Sequence, residues 1–158
     1  MIFEALKFLE QYGFSEKDFI EEKERRQPEY GNKSPDADII WFFFNKAADR
    51  AVIKNRNSVT NRKYRDLSAI YMEMAVFLNR EGKRGYGRIL KLSYEAKLKD
   101  LYCLGIEKVK IVLCENPCKA CAEYSGKIIS VKEALRLMPV PADVCERMQN
   151  NKDNYCEC

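Results

Sequence analysis

The sequence predicts a mostly α (α+β) protein, with an N-terminal helical bundle followed by a small C-terminal zinc-knuckle module with short strands and one helix. Apolar residues recur at three- and four-residue spacing through most of residues 1–106, which is typical of helices packed around a core. Residues 107–113 change to an alternating pattern, which indicates a strand. Six of the seven cysteines lie in the last 45 residues. We therefore predict a helical domain at 1–106 and a cysteine-rich zinc-binding module at 107–158.

The first two helices are predicted on either side of a glycine. Residues 2–12 carry an apolar face, and Gly13 is a natural C-cap. Ser15 then caps a second helix whose first turn is acidic. Its charged end, residues 21–26, is expected to be solvated, and residues 28–35 are expected to form a loop.

Three longer helices complete the predicted bundle. Ser34 and Pro35 suit the N-cap and first position of the third helix. The fourth runs from about Thr60 to Arg80, and the fifth ends near Leu104. Segment 81–88 between them lacks the Gly-Lys-Ser/Thr of a P-loop, so it is predicted to end one helix and start the next. The residues expected to face inward are Tyr64, Leu67, Tyr71, Met74 and Leu78 on the fourth helix, and Leu90, Tyr94, Leu98 and Leu101 on the fifth.

The C-terminal module is predicted to begin with the strand at 107–113. A tight knuckle at Cys118–Cys121 follows, and a short strand at 127–129 comes after a Gly-Lys turn. Ser130 is the predicted N-cap of a helix that continues through Met138.

The cysteines point to a metal site in a reducing compartment. No signal peptide is recognisable, and the longest apolar run, residues 39–44, is far shorter than the roughly 20 residues that span a bilayer. We therefore expect a cytoplasmic protein with no membrane partner. Clustered cysteines in a reducing cytosol favour metal ligands over disulfides. The expected cofactor is structural Zn²⁺.

Four thiolates around one Zn²⁺ form a closed tetrahedral site. Cys114 could replace Cys145 as a ligand, whereas Cys103, late in a helix, is expected to be a small buried hydrophobe. Disulfides and independent thiols are the alternatives for the cluster. The expected ligands are four of the following five, with one of the last two spare: Cys118, Cys121, Cys145, Cys156 and Cys158.

Four features of the module occur together in chain order: the CxxC at Cys118–Cys121, the Gly126-Lys127 turn, the prolines Pro139 and Pro141, and the terminal CxC. This pattern resembles the C-terminal end of phage head-morphogenesis (Mu F-like minor capsid) proteins, over residues 114–158. That family usually has a histidine after the prolines and an arginine inside the CxC, where this chain has Cys145 and Glu157. The resemblance implies a metal-binding knuckle and a phage or mobile-element protein that docks to a protein partner.

Positive charge concentrates in the middle of the chain. Residues 41–113 carry sixteen Lys/Arg against seven Asp/Glu, whereas the flanking segments are acidic. Basic side chains can neutralise phosphates, so DNA or RNA is a second expected partner. If helices three to five are antiparallel, the basic residues divide between the two ends of the bundle, which argues against one continuous patch. The candidate nucleic-acid-binding residues are Arg56, Arg62, Lys63, Arg65, Lys83, Arg84 and Arg88.

The absence of histidine narrows the possible chemistry. It excludes histidine acid–base catalysis, histidine-activated nucleophiles and histidine metal ligands. A thiol oxidoreductase using Cys118 and Cys121 would lack the strand–helix context of a thioredoxin fold, since the preceding strand is expected to be isolated. A metal-dependent nuclease would need paired carboxylates. No recognisable motif joins the available aspartates, which are Asp36, Asp38, Asp49 and Asp66. We therefore expect a non-enzymatic binding or assembly protein.

Overall fold

The computed structural model describes residues 2–31, 36–54, 62–83, 85–113 and 117–140. Five helices come first: α1 (Ile2–Glu10), α2 (Glu16–Tyr30), α3 (Asp36–Lys54), α4 (Arg62–Arg80) and α5 (Tyr86–Cys103). They are followed by β1 (Lys108–Lys110), α6 (Lys119–Ala122), β2 (Ile128–Ser130) and α7 (Val131–Leu137). The predicted mostly helical class, with short strands near the C-terminus, is therefore confirmed. Among these described residues, no helix has the length and apolar character needed to cross a bilayer.

The main core lies where α3 packs against α1, α2 and α4. Phe44 on α3 is fully buried at its centre. Its ring contacts those of Phe8 and Phe77, with centroids 6.2 and 5.9 Å away. Leu9 and Ile70 are also fully buried and bring in the neighbouring helices. Large apolar side chains thus hold the first four helices together.

Ion pairs at the helix ends define the helix directions. Lys83, just after α4, lies 3.8 Å from Asp38 in the first turn of α3. Arg65, near the start of α4, lies 3.5 Å from Asp100 near the end of α5. Helix α4 therefore runs antiparallel to both α3 and α5. Since α4 has 19 residues, its ends are roughly 28 Å apart.

The corner between α1 and α2 follows the sequence prediction. Gly13 has a φ of +80°, which other residues rarely adopt. Ser15 caps α2 through a capping box, in which its hydroxyl accepts from the Asp18 N–H and the Asp18 carboxylate accepts from the Ser15 N–H. The Ser15 hydroxyl also donates to the Asp18 carboxylate, and this bond together with the one from the Ser15 N–H lowers the pKa of Asp18. Both predicted caps are therefore confirmed.

Arg50 on α3 fastens this corner to the bundle. Its Nη1 donates hydrogen bonds to the carbonyl oxygens of Tyr12 and Gly13, at 2.7 and 3.0 Å. Its guanidinium also lies 3.8 Å from the ring centroid of Phe14. One cation therefore satisfies two backbone acceptors while covering an aromatic ring.

Helix α2 is longer than predicted. The expected loop at 28–35 is wrong for its first residues, because α2 continues through Pro28 to Tyr30. A proline near the end of a helix removes one backbone hydrogen bond and leaves few later turns to disrupt. Residues 32–35, with the predicted cap at Ser34 and Pro35, lie outside the described residues.

The charged end of α2 is less solvated than predicted. Glu22 accepts hydrogen bonds from Arg25 and Arg26, with nitrogen–oxygen distances of 2.6 to 2.8 Å. These bonds outweigh burial and lower the pKa of Glu22 to about 2. The guanidinium of Arg26 lies 4.7 Å from the ring centroid of Phe42 on α3. Glu22 and Arg26 are thus partly buried by pairing with each other.

The seam between α4 and α5 differs from the predicted a/d packing. Of the nine residues expected to face inward, only Met74 and Leu90 are buried. The buried face of α5 instead includes Ser93, Ala96 and Asp100. Ser93 Oγ donates to the carbonyl oxygen of Ser68 on α4, at 2.7 Å. Because small side chains let two helices approach closely, the larger residues take partly buried positions beside the seam.

The C-terminal unit, defined as residues 107–113 and 117–140, packs on α5. Strands β1 and β2 pair antiparallel with Val109 opposite Ile129, so the expectation of an isolated strand is wrong. Ser130 caps α7 as predicted, accepting a hydrogen bond from the Glu133 N–H. Helix α7 contacts both strands and also α5. The unit therefore joins the bundle through α5.

Candidate functional site

Two of the five predicted zinc ligands are described, and they share one turn of helix. Cys118 is the N-cap of α6, and Cys121 lies within it. Their exposed fractions are 8% and 0%. The Cys121 N–H donates to Cys118 Sγ at 3.5 Å. Backbone N–H···S bonds of this kind orient thiolate ligands in metal knuckles, so the donor set and the local turn fit a zinc site.

The remaining predicted ligands, Cys145, Cys156 and Cys158, lie outside the described residues, as does Cys114. Within the described ranges, no group of three or more histidine, cysteine or acidic residues could hold a metal ion. The described knuckle therefore supplies two of the four thiolates that the predicted site requires.

Cys103 is exposed in the last turn of α5, so the expectation that it is buried is wrong. The antiparallel pairing that brings Arg65 beside Asp100 sets Cys103 level with the start of α4. Its turn is therefore at the end of the helical seam, where burial is incomplete. The exposed Cys103 thiol provides a control for experiments on the buried pair.

The burial of the knuckle also bears on redox chemistry. A thiol oxidoreductase needs an accessible thiolate that can attack a partner disulfide. Cys118 and Cys121 are both buried. This environment favours a structural role for the pair over thiol–disulfide exchange.

The basic candidate residues that are described divide between the two ends of α4. Arg62, Lys63 and Arg65 lie at its start, whereas Lys83 and Arg88 lie beyond its end. Arg56 and Arg84 lie outside the described residues. Arg65 and Lys83 form the ion pairs with Asp100 and Asp38. The antiparallel bundle thus separates these cations and engages two of them internally.

The aspartates considered for a metal-dependent nuclease have separate surroundings. Asp36 lies 2.7 Å from Lys23, whereas Asp38 lies near Lys83. Burial, with a smaller contribution from the charge of Asp66, raises the pKa of Tyr12 to about 12. Asp36 and Asp38 therefore serve ion pairs with different lysines, and Asp49 is exposed at the other end of α3, which does not favour a paired-carboxylate centre.

A groove that the sequence did not predict lies between α5 and the C-terminal unit. Its volume is about 260 Å³. The lining is mainly apolar and comes from three segments of chain. Helix α5 supplies Tyr94, Lys97, Leu98 and Leu101; the strand segment supplies Val109, Lys110, Ile111 and Val112; and the α7 region supplies Ala134, Met138, Pro139 and Val140.

This groove explains why the sequence prediction is wrong about which element three residues of α5 face. Tyr94, Leu98 and Leu101 were expected to face the bundle, but they line the groove. The apolar periodicity of α5 was visible in the sequence. A second stripe, of small residues such as Ser93 and Ala96, indicated a close helix contact on a different face. Both stripes together could have revealed a helix with two partners.

Exposed apolar side chains also concentrate near the C-terminal unit. Six of the ten large hydrophobic residues that are exposed within the described chain lie between 102 and 137. Val112, beside the groove, has an exposed fraction of 77%. Clustered apolar exposure of this kind is a feature of interaction surfaces.

Comparison of the chain with protein-family models, with curated protein sequences and with solved structures gives no match. The inference of function therefore rests on the knuckle, the groove and the charge distribution.

Proposed function

We propose that this protein is a non-enzymatic binding or assembly protein, whose C-terminal unit is held by a structural zinc ion and docks to a protein partner. The observation that carries the proposal is the contrast within the unit. Its CxxC thiols are buried, while three of its large apolar side chains, Val112, Ile128 and Leu137, are exposed. Buried thiols suit a structural metal, and exposed apolar side chains suit a docking surface.

The proposed zinc would be held by Cys118 and Cys121 with two further thiolates from Cys145, Cys156 and Cys158. When bound, it would supply a cross-link between the knuckle and a later part of the chain. A site with four protein thiolates has no open position for a substrate, which supports a structural role. The resemblance of residues 114–158 to the end of phage head-morphogenesis proteins also motivates assembly as the role.

Metal analysis of matched cysteine variants tests the zinc site. We expect about one Zn²⁺ per purified chain. Cys121→Ser should remove most of the metal, because its thiolate is a proposed ligand. Cys103→Ser should retain the full metal content, because that thiol is exposed and outside the proposed set. A metal-free wild-type chain, or equal loss in both variants, contradicts the proposal.

Nucleic-acid binding is the second candidate function. It is favoured by the cations at the start of α4, where Lys63 Nζ lies 4.9 Å from the Tyr64 ring centroid beside Arg62. An aromatic ring among cations can stack on a base while the cations contact phosphates. The ion pairs of Arg65 and Lys83, and their separation along α4, make a protein partner the stronger proposal.

Titration with fluorescent single-stranded and duplex DNA and RNA tests this second candidate. Binding should weaken steeply as salt rises, and Lys63→Gln should reduce it. The exposed Lys7 on α1 offers a matched control as Lys7→Gln. Equal losses in the two variants would indicate non-specific charge attraction and would contradict a site at the start of α4.

A further inference from the structure

One wall of the groove is an open strand edge. In antiparallel pairing, alternate residues of a strand bond to the partner strand. Glu107 and Ile111 make backbone hydrogen bonds to the β2 side. The backbone N–H and C=O groups of Lys108 and Lys110 therefore point to the opposite edge. Among the described residues, β1 has no strand neighbour on that edge.

The groove follows this edge. Four consecutive residues, 109–112, line it. Since successive side chains of a strand point to opposite faces, a cavity that contacts both Val109 and Lys110 of β1 reaches the edge of the strand. Leu98 and Leu101 of α5 form the opposite wall, and Met138 closes a third side. Within the described residues, the groove thus places main-chain groups that have no strand partner beside an apolar surface.

The charged side chains that line the groove are basic, which favours an occupant that carries carboxylates. The charged residues that line it are Lys97 and Lys110, and no acidic residue of the described chain lines it. Lys108, also exposed, lies on the same strand. Lysines on an edge strand oppose pairing between two copies of the same strand. The same lysines attract a strand that carries carboxylates.

We propose that the groove binds an extended segment of a partner protein, which adds to β1 as a third strand and alternates apolar residues with aspartate or glutamate. The main-chain groups of Lys108 and Lys110 supply the hydrogen bonds, and alternate apolar side chains enter the groove. The carboxylates lie near Lys97 and Lys110. This inference rests on the proposed function, since it names the partner surface of the same C-terminal unit.

Peptide binding to the full chain tests the inference. The probe is a fluorescein-labelled heptapeptide, Glu-Val-Asp-Val-Glu-Val-Asp. We expect saturable binding with a Kd below about 1 mM, a weak affinity typical of one short strand. Two matched peptides are the controls: one with lysine in place of every carboxylate, and one with N-methyl groups on the amides that would bond to β1. Neither control should bind.

Matched lysine variants locate the site. Lys110→Glu should weaken peptide binding about tenfold, because it reverses a charge beside the bound carboxylates. Lys7→Glu, an exposed reversal on α1, should leave the affinity unchanged within about twofold. On peptide addition, hydrogen exchange should slow at the Lys108 and Lys110 amides, which a purely electrostatic association would leave unchanged.

Several results would overturn the inference. These are undiminished binding of the N-methylated peptide, equal binding to the lysine peptide, or no binding at about 1 mM. A free protein that sediments as a dimer, with the Lys108 and Lys110 amides already protected from exchange in that dimer, would identify a second copy as the occupant. If the chain carries zinc and the acidic heptapeptide binds equally well to wild type and Lys110→Glu, the groove assignment fails while the proposed function stands. A metal-free chain that still binds the acidic peptide, and loses it as Lys110→Glu, contradicts the structural zinc and supports the groove assignment.

Discussion

Helices α1 to α4, called the four-helix body below, and the C-terminal unit are stabilised by different interactions. In the body, α1 to α4 bury large rings and aliphatic side chains around Phe44. In the C-terminal unit the buried side chains are fewer and generally smaller; they are Ile111, Cys118, Cys121, Val131, Ala134 and Pro139. A small apolar core gives limited stability, and small units are commonly reinforced by a metal or a disulfide. The contrast indicates two sources of stability in one chain: apolar burial in the four-helix body, and the proposed zinc cross-link in the C-terminal unit.

The largest effect expected from this difference follows metal removal. Structural zinc contributes about 10 kcal/mol or more of apparent binding free energy in small zinc modules. Chelation should therefore speed hydrogen exchange strongly at the amides of the C-terminal unit, while α1, α3 and α4 stay protected. Exchange measured by mass spectrometry on wild type and Cys103→Ser checks this, since both should respond alike. Uniform acceleration across both regions would contradict separate sources of stability.

Truncation of the central ring should instead weaken the body. Phe44→Ala removes a fully buried ring between Phe8 and Phe77. We expect the free energy of unfolding to fall by about 3–5 kcal/mol. Phe3→Ala, at a side chain with an exposed fraction of 75%, is the matched control and should change it by less than about 0.5 kcal/mol. Chemical denaturation monitored by circular dichroism distinguishes the two, and similar losses would be inconsistent with the described core.

Each region has a helix that begins at a serine N-cap, so the same Ser→Ala substitution can be compared in both. Ser15 and Ser130 accept backbone hydrogen bonds at 3.2 and 3.1 Å, from Asp18 and Glu133. Replacing either with alanine should cost about 1 kcal/mol. For Ser15→Ala the cost should appear in global unfolding of the body. For Ser130→Ala it should appear mainly as faster amide exchange in the C-terminal unit. Equal global effects would mean that the two regions unfold as one.

Acid should have a small effect through Glu22 in the body. Its hydrogen bonds to Arg25 and Arg26 lower its pKa from the ordinary 4.5 to about 2. A depressed folded-state pKa stabilises the protein above about pH 4.5 and loses that contribution as pH falls toward 2. Because Arg25 is largely exposed, we expect Glu22→Gln to cost only about 0.5 kcal/mol at pH 7.

Comparing Glu22→Gln with Glu21→Gln at two pH values isolates the contribution of the Glu22 ion pairs to the free energy of unfolding. Glu21 pairs with Lys17 at 3.7 Å, and both side chains are well exposed. Glu21→Gln should therefore have less effect at any pH. Urea denaturation of wild type and both variants at pH 7 and pH 3 gives the change in unfolding free energy for each variant at each pH. A Glu22→Gln cost that does not shrink at pH 3 would contradict the depressed pKa.

Local signals in the sequence predicted the helical body well. Gly13 and Ser15 identified the corner after α1, because a left-handed glycine and a serine cap act on their own backbone. The alternation around Val109 identified β1 for the same local reason. The end of α2 was harder to predict, because a proline near the end of a helix disrupts few later turns and so does not mark where the helix ends.

The sequence did not show which helices and strands pack against each other. The stripe at Tyr94, Leu98 and Leu101 was apolar and helical, but periodicity does not state which neighbour covers a stripe. The burial of Cys103 was wrongly inferred from residue type, because it depends on where α4 begins. The CxxC spacing predicted a knuckle, and Cys118 and Cys121 do share one buried turn. Their partners in a zinc site stay a prediction.

The contact of Arg50 with the α1–α2 corner has a consequence for synthesis of the chain. It joins backbone groups that lie 37 and 38 positions earlier in the sequence. Contacts over such separations form only after the intervening chain exists and its loop entropy has been overcome. On the ribosome, α1 and α2 therefore emerge before the side chain that fixes the angle between them. Until α3 follows, the apolar faces that α1 and α2 bury against it are exposed, so these two helices depend on protection during translation.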